Sequence, residues 1–175
     1  IVGIKLVDKD ELVTMKLTPR TLKFMIRTKK GNAVRFDEQD VRDVGRNAMS
    51  VQKIRLEAGD EVIGMEITID QSQLLTVTEN GYGKRTDILE YRLISRGGKG
   101  VINIQTTERN GDVVAIKTVK EDDEVMVATK NGIIIRVPVH GISNIGRNTQ
   151  GVRIMKLKDG DRVSTVERVK HMNNH

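Results

Sequence analysis

The sequence predicts an all-β fold, a propeller-like radial array of four-stranded blades, about three of them plus part of a fourth. Three observations carry this. The first is a repeat: Gly31, Gly81 and Gly132 stand roughly fifty residues apart, and from each the chain reaches an arginine four positions on (Arg35, Arg85, Arg136), another fifteen on (Arg46, Arg96, Arg147) and a valine twenty on (Val51, Val101, Val152). A period of that length is one supersecondary unit that buries its apolar face against copies of itself. The second is punctuation, with turn signals every eight to twelve residues between short runs of β-branched residues. The third is that no stretch sustains a helical period.

Within a copy the elements follow in a fixed order. Val125-Met126-Val127-Ala128-Thr129 leads through Asn131-Gly132 into Ile133-Ile134-Ile135-Arg136-Val137, with Asn80-Gly81 and Lys30-Gly31 at the same place in the other copies. Asn-Gly readily supplies the positive φ angles of a type I′ turn, so a hairpin is expected here. An irregular stretch follows, in which Asp37 to Val44 is read as a single helical turn. Then come an apolar run such as Val152-Arg153-Ile154-Met155, a Gly-Asp turn (Gly59-Asp60, Gly111-Asp112, Gly160-Asp161) and a last strand such as Val113-Val114-Ala115-Ile116. Pro138 falls just after a strand, where a missing N–H costs little. The blades are placed at residues 18–70, 71–121 and 122–170. Residues 1–17 read as the end of a truncated preceding blade, because Ile4 to Val13 resembles Met155 to Val163. The chain opens on Ile1, which suggests a piece of something longer, and residues 171–175 read as a disordered polar tail.

Composition narrows the function. The 175 residues carry 30 Lys and Arg against 24 Asp and Glu, a net charge of +6, and favour a polyanionic partner. No cysteine is present, so disulfides and thiolate metal sites are excluded and a reducing, cytoplasmic setting is expected. No apolar run is long enough to span a membrane. With two Phe, two Tyr and no Trp, the chain lacks the aromatic platforms on which single-strand binders stack bases.

The sharpest local motif is Arg96-Gly97-Gly98-Lys99-Gly100, preceded by Ser95. Its glycines let the backbone approach a phosphate, with two cationic side chains at hand. It is not a nucleotide-binding loop, because no Ser or Thr follows the lysine, and Gly81-Tyr82-Gly83-Lys84-Arg85-Thr86 fails in the same way. Arg46, Arg96 and Arg147 sit in Gly- and Asn-containing loops that a radial repeat would set on one rim, an arc suited to duplex phosphates. Lys99, Arg153 and Lys84 join them as candidate DNA contacts. Arg35, Arg85 and Arg136 are candidates too, the alternative being an ion pair from each to the Asp of its own Gly-Asp turn. His171 and His175 have the spacing of a helical metal pair but lie in the polar tail without carboxylate support, so no metal site is expected. Glu121-Asp122-Asp123-Glu124 reads as a solvated turn, and no catalytic constellation is found.

These residues resemble the C-terminal domain family of bacterial DNA gyrase A subunits over nearly the whole chain, most closely from Asn80 to Val152. The resemblance implies a β-pinwheel, a ring or spiral of blades with its own strand exchange between neighbours, whose basic rim wraps duplex DNA for negative supercoiling. It implies that this chain is the C-terminal half of such a domain. The family's box motif, Gln-Arg-Arg-Gly-Gly-(Arg/Lys)-Gly, is matched at five of seven places by Ile94-Ser95-Arg96-Gly97-Gly98-Lys99-Gly100, a degenerate copy on a later blade. By the same resemblance the partners are duplex DNA, the rest of the gyrase A protein and its gyrase B counterpart, in the bacterial cytoplasm at the nucleoid. ATP and magnesium act elsewhere in the holoenzyme, and no cofactor is expected in this chain. Neither Tyr82 nor Tyr91 stands in the context of the family's cleavage tyrosine. The alternatives are the matching domain of the topoisomerase IV A protein and a protein-binding propeller scaffold of the kelch or WD kind, against which the scarcity of aromatics and the cationic repeated positions both argue.

Overall fold

The computed structural model of the chain describes residues 23–37, 54–55, 58–94 and 98–169. Each copy opens with an antiparallel hairpin: β1 (Lys23–Thr28) with β2 (Asn32–Asp37), β5 (Gln73–Thr78) with β6 (Tyr82–Asp87), and β10 (Glu124–Thr129) with β11 (Ile134–Pro138). The turn is not the type I′ that Asn-Gly predicts. Only the glycines have positive φ, +90° at Gly31, +85° at Gly81 and +85° at Gly132. Their amides close back on the carbonyls of Thr28, Thr78 and Thr129 at 3.2, 3.1 and 3.1 Å. This is the four-residue turn that ends in a left-handed glycine. The buried threonines bolt it from the other side: Thr28 and Thr129 accept the amides of Asn32 and Ile133, and the Thr78 hydroxyl donates to the Tyr82 carbonyl.

A third strand returns along the other side of the first: β4 (Val62–Thr68) on β1, β9 (Val113–Val119) on β5, β13 (Val163–Arg168) on β10. Each pairing shifts register at the threonine, Thr28, Thr78 or Thr129. The Gly-Asp turns stand beside the hairpin turns. Asp60 Oδ1 accepts the Lys30 amide at 2.9 Å and Asp161 Oδ1 the Asn131 amide at 3.1 Å, while in the second copy Glu79 Oε1 accepts the Asp112 amide at 3.2 Å.

The fourth strand comes from the next copy. The repeated valine runs form β8 (Val101–Ile102), which pairs with β2, and β12 (Val152–Arg153), which pairs with β6. Each sheet is thus completed by its successor, not within its own fifty residues. The amides of Asn103 and Ile104 both donate to the Gly31 carbonyl, and those of Ile154 and Met155 to the Gly81 carbonyl. In the third sheet, ordered β11-β10-β13, the edge of β11 has no fourth strand among the described residues. A short parallel pair joins β3 (Ile54–Arg55) to β7 (Gly98–Lys99).

The core lies between successive sheets. In β5, Leu74 packs into the cluster shared with Met25, Ala33 and Tyr91, and the next residue, Leu75, into the one shared with Val125, Val127 and Val166. The period of two therefore buries both faces of the middle sheet. In β10, Val125 and Val127 are buried, while Met126 between them is exposed. One-turn 3₁₀ segments follow β6 at Ile88–Glu90 and β11 at Val139–Gly141. Their counterpart, the helical turn expected over 37–44, lies outside the described residues apart from Asp37, as do residues 1–17 and 171–175.

Candidate nucleic-acid interface

Two of the arginines four positions past an origin glycine, Arg35 and Arg85, are joints between copies. Arg35 is 4% exposed; its Nη1 donates to the Tyr91 carbonyl at 3.2 Å and its Nη2 to Asp70 Oδ1 at 2.8 Å. Arg85, 5% exposed, donates through Nε to the Ile142 carbonyl at 2.7 Å, with Gln73 and Glu121 as further partners. Tyr91 and Ile142 hold equivalent positions in the following copies. Arg136 is not covered by another copy among the described residues; it is exposed and pairs with Glu124. None of the three pairs with a Gly-Asp turn: Asp60 and Asp161 are engaged by main-chain amides, and Asp112 lies 3.9 Å from Lys29.

Lys84 is also interior. Its buried ammonium donates to the Gly146 carbonyl at 2.7 Å and to Thr149 Oγ1 at 2.9 Å, holding the loop of the third copy that carries Arg147. Burial pushes its pKa down to about 8, with nearby Arg147 acting in the same direction and Glu90 against both. Arg35, Lys84 and Arg85 therefore leave the set of groups that a phosphate can reach. The reason is strand exchange: the next copy lies over them.

Arg147 is half-buried and donates to the Ile102 carbonyl at 3.3 Å. Arg46 and Arg96 lie outside the described residues, as do Ser95 and Gly97 of the box-like motif. Gly98 and Lys99 form β7, and Gly100 follows it.

A cationic cluster gathers instead around Tyr82. The exchanged strand sets Arg153 opposite Tyr82, and Arg153 Nη2 donates to the tyrosine hydroxyl at 3.2 Å. The Arg109 guanidinium lies 4.3 Å from the ring centroid and that of Arg153 5.7 Å. The Arg153 hydrogen bond, more than the charges of Arg153 and Arg109, holds the Tyr82 hydroxyl below the usual phenol pKa against the opposing effect of desolvation. Lys156, Lys158 and Arg162 line one open depression with Tyr82 and Arg153, as do Asp159 and Asp161. Among the described residues Arg109, Arg153, Lys156, Lys158 and Arg162 form no ion pair. Unpaired cations on one surface are what a polyanion needs. Arg109 does not recur between copies, so the repeat could not flag it. Tyr82 and Arg153 each follow a repeated residue, and knowledge of the strand exchange would have paired them.

No group of three or more His, Cys, Asp or Glu side chains suited to a metal ion occurs among the described residues, nor any helix long and apolar enough to cross a membrane. His171 and His175 lie outside them.

The family described as DNA gyrase C-terminal domain, beta-propeller, matches residues 23–69, 72–120 and 123–170. The DNA gyrase A subunit of Staphylococcus epidermidis (strain ATCC 12228 / FDA PCI 1200) is 46% identical over 170 residues, 96% of this chain and 19% of that protein. The corresponding DNA gyrase A subunit of Haloquadratum walsbyi is 46% identical over 169 residues, 95% of this chain and 20% of its own length. The chain thus spans about a fifth of the curated relatives it matches. Among solved structures, a DNA gyrase A C-terminal domain is similar with a TM-score of 0.77 and 29% identity, over 85% of this chain and 51% of that one. A topoisomerase IV C-terminal domain has a TM-score of 0.73 at 19% identity, over 85% and 47% of the two chains, a likeness of fold alone.

Proposed function

The chain belongs to the DNA gyrase C-terminal domain family, and from that premise we propose that it binds duplex DNA without sequence preference and bends it along its surface. It does so as a non-catalytic part of an ATP-dependent type II topoisomerase that introduces negative supercoils. Its partners are duplex DNA, the remainder of the gyrase A protein and its gyrase B counterpart, at the nucleoid in the bacterial cytoplasm. ATP and magnesium are used by other parts of that enzyme.

The observation that carries the reading is the set of exposed cations without carboxylate partners among the described residues, Arg109, Arg153, Lys156, Lys158 and Arg162, on a chain of net charge +6. Phosphates are sequence-blind, and cations aimed at them give affinity without base readout. Arg46, Arg96, Lys99, Arg147 and the exposed Arg136 remain candidate contacts. Titrating a labelled duplex at several salt concentrations tests this. With about five phosphates neutralised, log K falls against log salt with a slope of roughly −4 to −5, alike for unrelated sequences. Equal affinity at low and high salt would overturn it.

A further inference from the structure

We propose that Tyr82, Arg109 and Arg153 form a clamp straddling the second and third copies that grips one phosphodiester group of the DNA backbone. The inference rests on the duplex-binding reading and assigns it a site. Two guanidinium groups against one ring repel each other, and the ring's negative face offsets only part of that repulsion. Neither has a carboxylate partner among the described residues. Converging cations left in that state are completed by an anion.

The mount is rigid. Arg109 donates through Nε to Asn110 Oδ1 at 3.1 Å and through Nη2 to the carbonyls of Gln150 and Gly151 at 3.3 and 3.1 Å, leaving Nη1 without a partner among the described residues. Asn110 is itself buried, and its amide group donates to the carbonyls of Gln105 and Gln150 at 2.9 and 2.6 Å. Arg153 is fixed two residues beyond Gly151. There φ is +75°, and a Cβ would come within 2.6 Å of the Gly83 carbonyl oxygen, so the exchanged strand lies as close to β6 as glycine permits. Arg153 engages the Tyr82 hydroxyl through Nη2, and among the described residues its Nε and Nη1 have no partner. Preorganised donors of this kind lose little on binding an oxyanion.

The ligand is a phosphodiester and not a base, because the Arg109 guanidinium already lies against the ring that a base would stack on. Lys156, Lys158 and Arg162 line the same depression as Tyr82 and Arg153 and enlarge the cationic surface beside the clamp. Two carboxylates in that depression, Asp159 and Asp161, are the local opposing charges; Asp161 Oδ1 accepts the amides of Asn131 and Arg162, which fixes its carboxylate without neutralising it.

The experiment is duplex titration against salt with the unaltered chain, Arg153→Gln and the double variant Arg109→Gln, Arg153→Gln. The clamp predicts a slope shallower by about 0.9 for the single variant and about 1.8 for the double, with affinity roughly tenfold lower per arginine. Binding by all three with one common slope overturns the clamp and leaves the duplex-binding reading standing. No salt-dependent binding by the unaltered chain overturns both. Arg109 also holds the loop at 150–151, so the double variant is checked by circular dichroism; if it fails to fold, Arg153→Gln alone decides. Nitrogen-detected NMR of the arginine side chains supplies a second arm. Duplex shifts Arg109 and Arg153, and inorganic phosphate at the same phosphate concentration does not; the reverse pattern would make this a free-phosphate site and overturn the clamp on DNA.

Discussion

Lys84 shows how one residue can carry a charge and still have nothing to do with a ligand. It sits where the first and third copies have Val34 and Ile135, and its ammonium reaches the loop at 146–149 of the next copy. Its cost shows in pH. Below about 8 both folded and unfolded chains hold the proton, and burial of the charge works against folding. Between about 8 and the ordinary lysine value of 10.5 the unfolded chain still binds a proton that the folded chain has released, so stability rises with pH across that window. Urea denaturation from about pH 8 to about pH 9.5 should show this rise, and Lys84→Met should abolish it. A rise of equal size in the variant would contradict the assignment. In the sequence, Lys84 stands between glycine and arginine in a stretch that reads as a basic loop; nothing local reveals that residues some sixty positions later will cover it.

At the scale of the element, strand exchange decides which repeated residues matter, and it explains why a glycine recurs at each origin. At Gly31 and Gly81 an added Cβ would strike the carbonyl oxygens of Ile104 and Met155, both from the exchanged segment, whereas at Gly132 it would meet nothing. All three have positive φ, so an L side chain costs about 1–2 kcal/mol at any of them. Gly132→Ala should cost that much alone. Gly81→Ala should cost a further 1–3 kcal/mol or so, because the exchanged strand must move. Chemical denaturation compares the two; equal losses would mean that the exchanged strand yields freely. The hairpins, the return strands and the turn positions were legible in the sequence, since alternation and Gly-containing turns are local signals. The exchange was implied only by the family resemblance and not by the residue pattern, because Val101 and Val152 suit their own sheet's edge or the preceding one equally well in pattern, and only the arrangement of whole sheets chooses. The type I′ expectation failed for a related reason. Asn80-Gly81 and Asn131-Gly132 are compatible with two turns, and the buried threonine three residues before each glycine, visible in all three copies, selects the one observed.

Across the described residues, three sheets follow one another with apolar clusters between them, and nothing among those residues covers the outer face of the third. Arg136, Ile134 and Met126 are exposed in the third sheet, whereas Arg35, Ala33, Arg85 and Gly83, at positions equivalent to the first two, are buried beneath the following copy. Cations that the repeat suggested for DNA are therefore divided by position in the series: some fasten copies together, and others stay on the surface. Those on the surface have a defined task in the proposed function. Curving a 20–30 bp site by 40–90° costs of order 1–6 kcal/mol. A handful of charge-assisted phosphate contacts at roughly 1 kcal/mol or more each offsets that for a short duplex. The most direct measurement is energy transfer between dyes at the two ends of a duplex of about 30 bp, a length to which that bending cost applies, titrated to saturation with the chain. Transfer should rise on binding, to the same extent for unrelated sequences, and fall back when salt releases the protein. Saturated binding with an unchanged end-to-end distance would contradict the bending role.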